Sequence, residues 1–165
     1  MAEPSRPISE VSELRQVCIV VHDLVKSMER YQSILGIGPW EVLDFDDSTV
    51  SDMTYHGKPA QQKFRVATTM VGPMQLELIQ PVEGDTVYSD FLKEHGEGLH
   101  HLGVVIVDNL DEAMQTSAKA GLACLQSGRI VSGHFAGARY AYLDAVNSLG
   151  TIIELAEMPK ELLPY

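Results

Sequence analysis

The stretch Gly96–Asp108, GEGLHHLGVVIVD, joins a glycine-containing turn to a short apolar run, and two histidines stand where they meet. About six apolar residues after a glycine turn predict a buried strand. Because side chains alternate across a strand, His100 and His101 should point to opposite faces. We expect His101 to face an open cleft and His100 to face the helices that cover the other side.

The same pattern occurs earlier in the chain. Gln16–Asp23, QVCIVVHD, matches His101–Asp108, HLGVVIVD, at an offset of 85 residues, because each has a polar residue, an apolar run and an aspartate. Each half also finishes with a strand-like run that carries a glutamate between aliphatic residues, Gln75–Pro81 and Thr151–Ala156. Self-similarity at a fixed offset indicates two copies of one structural unit. The polar residues at equivalent places in the two copies are Gln16, Glu77, His101 and Glu154.

The predicted architecture is one α+β domain over residues 1–165, with helices on the outside of a curved sheet. Two strand–helix–strands repeats span about residues 14–82 and 99–158, and an amphipathic stretch near 87–95 predicts a helix that links them. The polar segment 46–60 is expected to be a mobile loop. Further helices are expected at 24–35 after the cap Asp23, with Val25, Met28, Tyr31 and Leu35 buried, and from Asp108 or Asn109 to Gly121.

Strand alternation also predicts which side chains share a face. Four polar side chains should lie on the surface that the helices leave uncovered: Gln16, Glu77, His101 and Glu154. In the strand that follows His101, we expect Leu102, Val104 and Ile106 to pack against the helices, leaving Gly103, Val105 and Val107 on the open surface. A curved sheet would gather the open surfaces of the two repeats into one cleft.

Composition limits the classes of function. The net charge of −11 argues against a nucleic acid or an anionic membrane surface as a partner. No apolar run approaches the roughly 20 residues of a membrane helix, and Met1–Pro7 lacks the layout of a secretory signal. Cys18 and Cys124 lie in apolar segments and do not indicate a disulfide framework. We therefore expect a cytoplasmic protein that acts on a small molecule.

One imidazole, one amide oxygen and two carboxylates at a single point would bind a divalent ion, and Zn²⁺, Ni²⁺, Co²⁺, Mn²⁺ and Fe²⁺ all accept such a ligand set. No cysteine thiolate is among the four, which argues against a closed structural zinc site. Four protein ligands on an octahedral ion leave two positions for the substrate's oxygens. The set therefore predicts a catalytic ion that polarises a carbonyl while a neighbouring carboxylate moves a proton.

Further residues are candidates for the substrate pocket. Alternation places Tyr140 and Tyr142 on the cleft side, because Ala141 and Leu143 suit the core. Additional candidates for substrate binding are Arg65 as an anchor, Trp40 and Phe135 as apolar walls, and His134 in a loop over the site.

The segments Gly96–His101, Asp108–Ala113 and Glu77–Pro81 resemble the vicinal oxygen chelate superfamily of glyoxalases, bleomycin resistance proteins and dioxygenases, and they are most similar to the methylmalonyl-CoA epimerase and glyoxalase I families. The resemblance implies two βαβββ repeats forming a curved mixed sheet around a metal-binding cleft, and a homodimer. It also implies the metal ligands Gln16, Glu77, His101 and Glu154, a set similar to that of some glyoxalase I enzymes.

The chain departs from the epimerase pattern in one strand. Residues 63–69, KFRVATT, lack the carboxylate that the resemblance would place there and carry Arg65 instead. The resemblance to glyoxalase then implies Glu154, and after it Glu77, as the catalytic base.

Three functions remain open at this point. The main hypothesis is a divalent-metal-dependent isomerase or lyase that moves a proton next to a metal-chelated carbonyl, on a substrate with a carbonyl or vicinal oxygens. The alternative is a metal-free protein that binds or sequesters a small molecule, of the bleomycin-resistance type. The third function, a ring-cleaving dioxygenase, requires two histidines and one carboxylate as iron ligands, and Gln16 among the candidate ligands counts against it.

Overall fold

A computed structural model describes residues 14–162 as a single curved sheet, with two long helices packed on its outer face and a third packed against the residues of its concave face. The sheet has ten strands in the order β2-β5-β6-β1-β7-β10-β9-β8-β3-β4. No helix within the described residues is both long and apolar enough to cross a membrane.

The strands are β1 (Gln16–Val20), β2 (Glu41–Phe45), β3 (Val50–Tyr55), β4 (Lys58–Pro59), β5 (Lys63–Val71), β6 (Met74–Glu83), β7 (Gly98–Ile106), β8 (Cys124–Ile130), β9 (Arg139–Leu143) and β10 (Ile152–Glu157). The helices are α1 (Leu24–Leu35), α2 (Val87–His95), α3 (Leu110–Lys119) and α4 (Val146–Leu149), and a 3₁₀ turn covers Lys160–Leu162.

The strand pairing has the same form in both halves. β1 pairs with β6 in parallel and β7 pairs with β10 in parallel, while β1 and β7 pair antiparallel at the centre of the sheet. Helix α1 covers the outer face of the first half through Leu24 and Leu78, and α3 covers the second half through Leu110 and Leu155. The predicted α+β class, with a curved mixed sheet and outer helices, is confirmed.

The helices begin where the capping residues predict. Asp23 accepts a hydrogen bond from the Lys26 amide at the start of α1, and Asn109 caps α3 in the same way. The buried stripe of α1 differs from the prediction, because Val25 and Leu35 are exposed. The stripe that faces the sheet starts at Leu24 and continues at helical spacing through Ser27, Met28 and Tyr31.

The segment 46–60 is not the expected loop. It forms β3 and β4, and β3 pairs with β8, so a hairpin from the first half extends the sheet of the second half. Val50 and Met53 are buried in the cleft-side core, and their burial stabilises the strand within a mostly polar sequence.

Strand β7 contains two irregularities that change its faces. Opposite β1, Leu99 and His101 pair with adjacent residues, so His100 is an extra residue in β7. Opposite β10, β7 has two residues between Leu102 and Val105 where β10 has one, so β7 again contains one extra residue. Each bulge shifts the alternation by one position. The prediction for the second half of β7 is therefore wrong: Val104 lines the cleft, whereas Val105 and Val107 pack under α3.

Candidate metal centre and substrate cleft

Four polar side chains from four neighbouring strands converge on the concave face of the sheet. His101 Nε2 lies 3.2 Å from Gln16 Oε1, 3.3 Å from Glu154 Oε2 and 3.6 Å from Glu77 Oε2. All four residues are buried, His101 almost completely. The structure thus brings together the four side chains at equivalent places in the two repeats.

Hydrogen bonds behind the cluster determine which ring nitrogen of His101 carries the proton. His100 Nε2 lies 3.3 Å from the carbonyl oxygen of Val87, which can only accept, so this nitrogen carries the proton. Burial and the neighbouring His101 lower the pKa of His100 to about 3, so its ring is neutral and its Nδ1 is an acceptor. His101 Nδ1 is 2.8 Å from that atom and must donate to it. His101 Nε2 is therefore left with a free lone pair that points into the cluster.

Gln16 is oriented in a similar way. Its Nε2 donates to Gln75 Oε1 at 2.8 Å, which turns the amide oxygen of Gln16 towards His101. Because the amide nitrogen of Gln16 points away from the cluster and its oxygen points into it, the side chain contributes an acceptor to the cluster.

The centre of the cluster therefore holds acceptors, and the only proton that the described side chains could supply there is one carried by a carboxyl group. Glu77 Oε2 and Glu154 Oε2 are buried and have no hydrogen-bond partner there. Burial, and next the charge of Glu154, raise the pKa of Glu77 to about 8. An imidazole lone pair, an amide oxygen and two orphaned carboxylate oxygens are a donor set that fits a divalent cation.

The glycine of β7 provides the space for this cluster. A Cβ atom placed on Gly103 would lie 3.1 Å from Glu154 Oε2 and 3.3 Å from Gln16 Oε1. Both contacts are tighter than ordinary van der Waals distances, so a side chain at this position would press on two of the four candidate ligands.

A second group of ligand-type atoms lies directly behind the first. Cys18 Sγ and ring nitrogens of His100 and His101 fall within 4.8 Å of one another. The two histidines use their Nδ1 atoms on each other, and the buried Cys18 thiol lies next to Glu77. Burial raises the pKa of Cys18 well above its ordinary value, which keeps the thiol protonated. We therefore interpret Cys18 and His100 as a supporting layer that orients Glu77 and His101.

A cleft of about 170 Å³ opens in front of the candidate ligands. Its walls are mostly apolar, and the described residues around it come from β1, β2, β5, β6, α2, β7, β8, β9, β10 and the 131–138 loop, together with Met158. The apolar and aromatic lining residues are Leu43, Phe45, Phe64, Val66, Ile79, Tyr88, Val104, Ile130, Phe135, Ala138, Tyr140, Tyr142, Ala156 and Met158.

Three of the sequence-predicted pocket residues line this cleft, namely Tyr140, Tyr142 and Phe135. Tyr142 Oη accepts a hydrogen bond from Tyr88 at 2.9 Å, whereas the buried Tyr140 hydroxyl has no partner among the described residues. Burial and the charge of Glu154 raise the pKa of Tyr140, so this hydroxyl remains a donor.

The other three predicted pocket residues lie elsewhere. Arg65 points away from the cleft and pairs with Asp44 at 2.8 Å, because Phe64 and Val66 take the cleft side of β5. Trp40 packs against α1, with its ring centroid 6.0 Å from that of Tyr31. His134 is exposed and contacts the ring of Phe135.

Sequence reasoning missed two contributors, His100 and Val104. Both lie at the bulges of β7, where strict alternation assigns them to the wrong face. The His100-His101 pair was the available signal, because adjacent histidines at a strand entrance can share one site only when the strand is irregular.

Comparison with known proteins agrees with this geometry. The sequence profile described as the Glyoxalase/Bleomycin resistance protein/Dioxygenase superfamily matches residues 15–142. The chain belongs to this superfamily. The match covers most of both repeats, including the strands that supply Gln16, Glu77 and His101.

The relatives include enzymes of the isomerase class. The chain is 25% identical to mitochondrial methylmalonyl-CoA epimerase of Mus musculus over 156 residues, which cover 94% of this chain and 78% of the mouse protein. Among solved structures, methylmalonyl-CoA epimerase of Mycobacterium tuberculosis matches with a TM-score of 0.57 at 21% identity, covering 92% of this chain and 91% of that one. The hypothetical protein BH1468 of Bacillus halodurans matches with a TM-score of 0.60 at 19% identity, covering 92% and 98%.

Proposed function

We propose that this protein is a divalent-metal-dependent isomerase or lyase that moves a proton next to a metal-chelated carbonyl. The observation that carries the proposal is the buried cluster of acceptors, in which two carboxylate oxygens have no partner among the described residues. Four acceptors within a few ångströms destabilise one another unless a proton or a cation lies between them, and a divalent cation would satisfy all four at once. The residues that would hold this ion are Gln16, Glu77, His101 and Glu154.

When bound, the ion would polarise a substrate carbonyl and stabilise negative charge on its oxygen. The protein's own groups would do the rest. A carboxylate beside the substrate carbon takes and returns the proton, with Glu154 as the first candidate and Glu77 as the second. The apolar walls exclude water from the proton-transfer step.

One feature supports an isomerase-type reaction, and a second argues against methylmalonyl-CoA as its substrate. The named relatives in the superfamily are epimerases, but the identity is only 25%. The cleft-facing residues of β5 are Phe64, Val66 and Thr68, so this strand offers no carboxylate for proton transfer. Proton transfer in this protein then depends on Glu154 and Glu77, which is why we do not propose methylmalonyl-CoA as the substrate.

The test combines metal content with proton exchange. Purified protein, loaded with Ni²⁺, Zn²⁺ or Co²⁺, is incubated in deuterium oxide with a panel of 2-oxo and acyl-thioester compounds, and exchange is followed by proton NMR. We expect exchange with at least one compound, loss of exchange in Glu154→Gln, and unchanged exchange in Glu83→Gln, an exposed position of β6. Exchange retained in Glu154→Gln and lost in Glu77→Gln would transfer the role of base to Glu77.

A protein that contains no metal and does not respond to added Ni²⁺, Zn²⁺ or Co²⁺ would contradict the proposal and favour the metal-free binding protein. The cytoplasmic location and the homodimer stay predictions. The free thiols of Cys18 and Cys124 are compatible with a reducing compartment.

A further inference from the structure

The chemistry of the cleft in front of the four candidate ligands narrows the class of substrate. Two carboxylates, Glu77 and Glu154, would neutralise a divalent ion, and the other two ligands, Gln16 and His101, are neutral. A neutral substrate headgroup would leave the site uncharged, whereas a substrate carboxylate would add one buried negative charge that needs a cation.

The cleft offers no spare cation for such a charge. Arg139 is the one basic residue among the described residues that line it. Its guanidinium is held by Asp111 through two bonds of 2.7 and 3.1 Å, and Glu157 lies 3.5 Å away. Arg65, which the sequence offered as a substrate anchor, faces the opposite side of β5 and pairs with Asp44. An anionic group in the cleft would therefore remain without a counter-ion.

The walls favour an apolar group of limited size. One wall contains Leu43, Phe45 and Phe64. The opposite wall contains Ile130 and Phe135. A cavity of about 150 Å³ with apolar walls is large enough to hold a benzene ring. The whole cleft, including the space in front of the candidate ligands, measures about 170 Å³, so a phenyl ring is the upper size of the substituent.

We infer that the substrate is an uncharged molecule with two adjacent oxygens and an apolar, phenyl-sized substituent, and that the cleft discriminates against acyl groups with a free carboxylate. The inference rests on the proposed function for the chelating end of the substrate. The apolar end depends only on the walls of the cleft.

The experiment is isothermal titration of the full-length protein, both metal-free and Ni²⁺-loaded, with three probes. 2-Hydroxyacetophenone has the neutral headgroup and a phenyl ring, hydroxyacetone has the same headgroup with a methyl group, and mandelate has the phenyl ring with a carboxylate. We expect 2-hydroxyacetophenone to bind at least about tenfold more tightly than hydroxyacetone, because the ring is buried, and at least about tenfold more tightly than mandelate.

Two wall variants and one control complete the test. Phe135→Ala and Leu43→Ala, on different walls, should each weaken 2-hydroxyacetophenone about threefold to tenfold and leave hydroxyacetone unchanged. Val131→Ala truncates an exposed residue near Phe135 outside the cleft and should change neither affinity. Thermal unfolding of each variant verifies that it is folded.

The outcomes separate the two proposals. If Ni²⁺ does not bind, the proposed function fails, and the preference of the metal-free protein for the phenyl probe over hydroxyacetone still tests the walls. If Ni²⁺ binds but mandelate is preferred, or if the phenyl ring gives no gain, only the present inference is overturned.

Discussion

The buried carboxylate of Glu77 predicts an unusual dependence of stability on pH in the metal-free protein. Burial and the charge of Glu154 raise the pKa of Glu77 from 4.5 to about 8. The folded protein therefore holds a proton that the unfolded chain has lost between these two pH values. Since the folded state binds more protons, the free energy of unfolding must decrease as pH rises from about 4.5 to 8.

The magnitude follows from the difference between the two pKa values. At about 1.4 kcal/mol for each pH unit, a change from 4.5 to about 8 corresponds to at most roughly 5 kcal/mol. The Glu77 side chain is 11% exposed, and water in the cleft reduces the effect. We expect the metal-free protein to lose about 2–3 kcal/mol of stability between pH 5.5 and 8.5.

Glu77→Gln is the matched perturbation, because the amide has the shape of the protonated carboxyl and does not titrate. Unfolding in urea, with chelator present, is measured at four pH values for wild type, Glu77→Gln and the exposed control Glu83→Gln. The stability advantage of Glu77→Gln over wild type should be about 2 kcal/mol larger at pH 8.5 than at pH 5.5. The reasoning is wrong if Glu77→Gln loses stability with rising pH as steeply as wild type does.

Three further predictions concern the cluster and the assembly. Gly103→Ala should weaken Ni²⁺ binding at least about tenfold, because the added Cβ presses on Glu154. Gly98→Ala is the control, because a Cβ there has ordinary contacts, and titration calorimetry should show unchanged Ni²⁺ affinity for it. His100→Phe removes the acceptor for His101 Nδ1 and should cost about 10- to 100-fold in Ni²⁺ affinity, and equal affinity would contradict the tautomer argument. Light scattering should report a homodimer of twice 18.2 kDa, and a monomer at micromolar concentration would contradict that prediction.

The repeat made the four clustered side chains predictable from sequence. Equivalent positions in two related units must come to equivalent places on the sheet, and alternation then selects one face. Gln16, Glu77 and Glu154 lie in strand segments whose alternation the structure keeps, so the prediction of their faces holds. The cap Asp23 was predicted correctly, because its hydrogen bond is local, and the cap of α3 was narrowed to Asp108 or Asn109, of which the structure has Asn109.

Other parts of the structure depend on information that alternation lacks. The bulges of β7 reverse the faces of His100 and Val104, and a single sequence does not show where a strand gains a residue. Arg65 was placed in the cleft because of its charge, yet Phe64 and Val66 bury more apolar surface there. The hairpin at 46–60 forms because β8 provides an edge from the other half of the chain, which no local pattern reveals.

The central claim is that one divalent ion is bound at the meeting point of the two repeats. Titration of metal-free protein with Ni²⁺ tests it most directly, with His101→Ala as the site variant. We predict one ion per chain for wild type and loss of that site in His101→Ala. No binding to wild type, or undiminished binding to His101→Ala, would contradict the account.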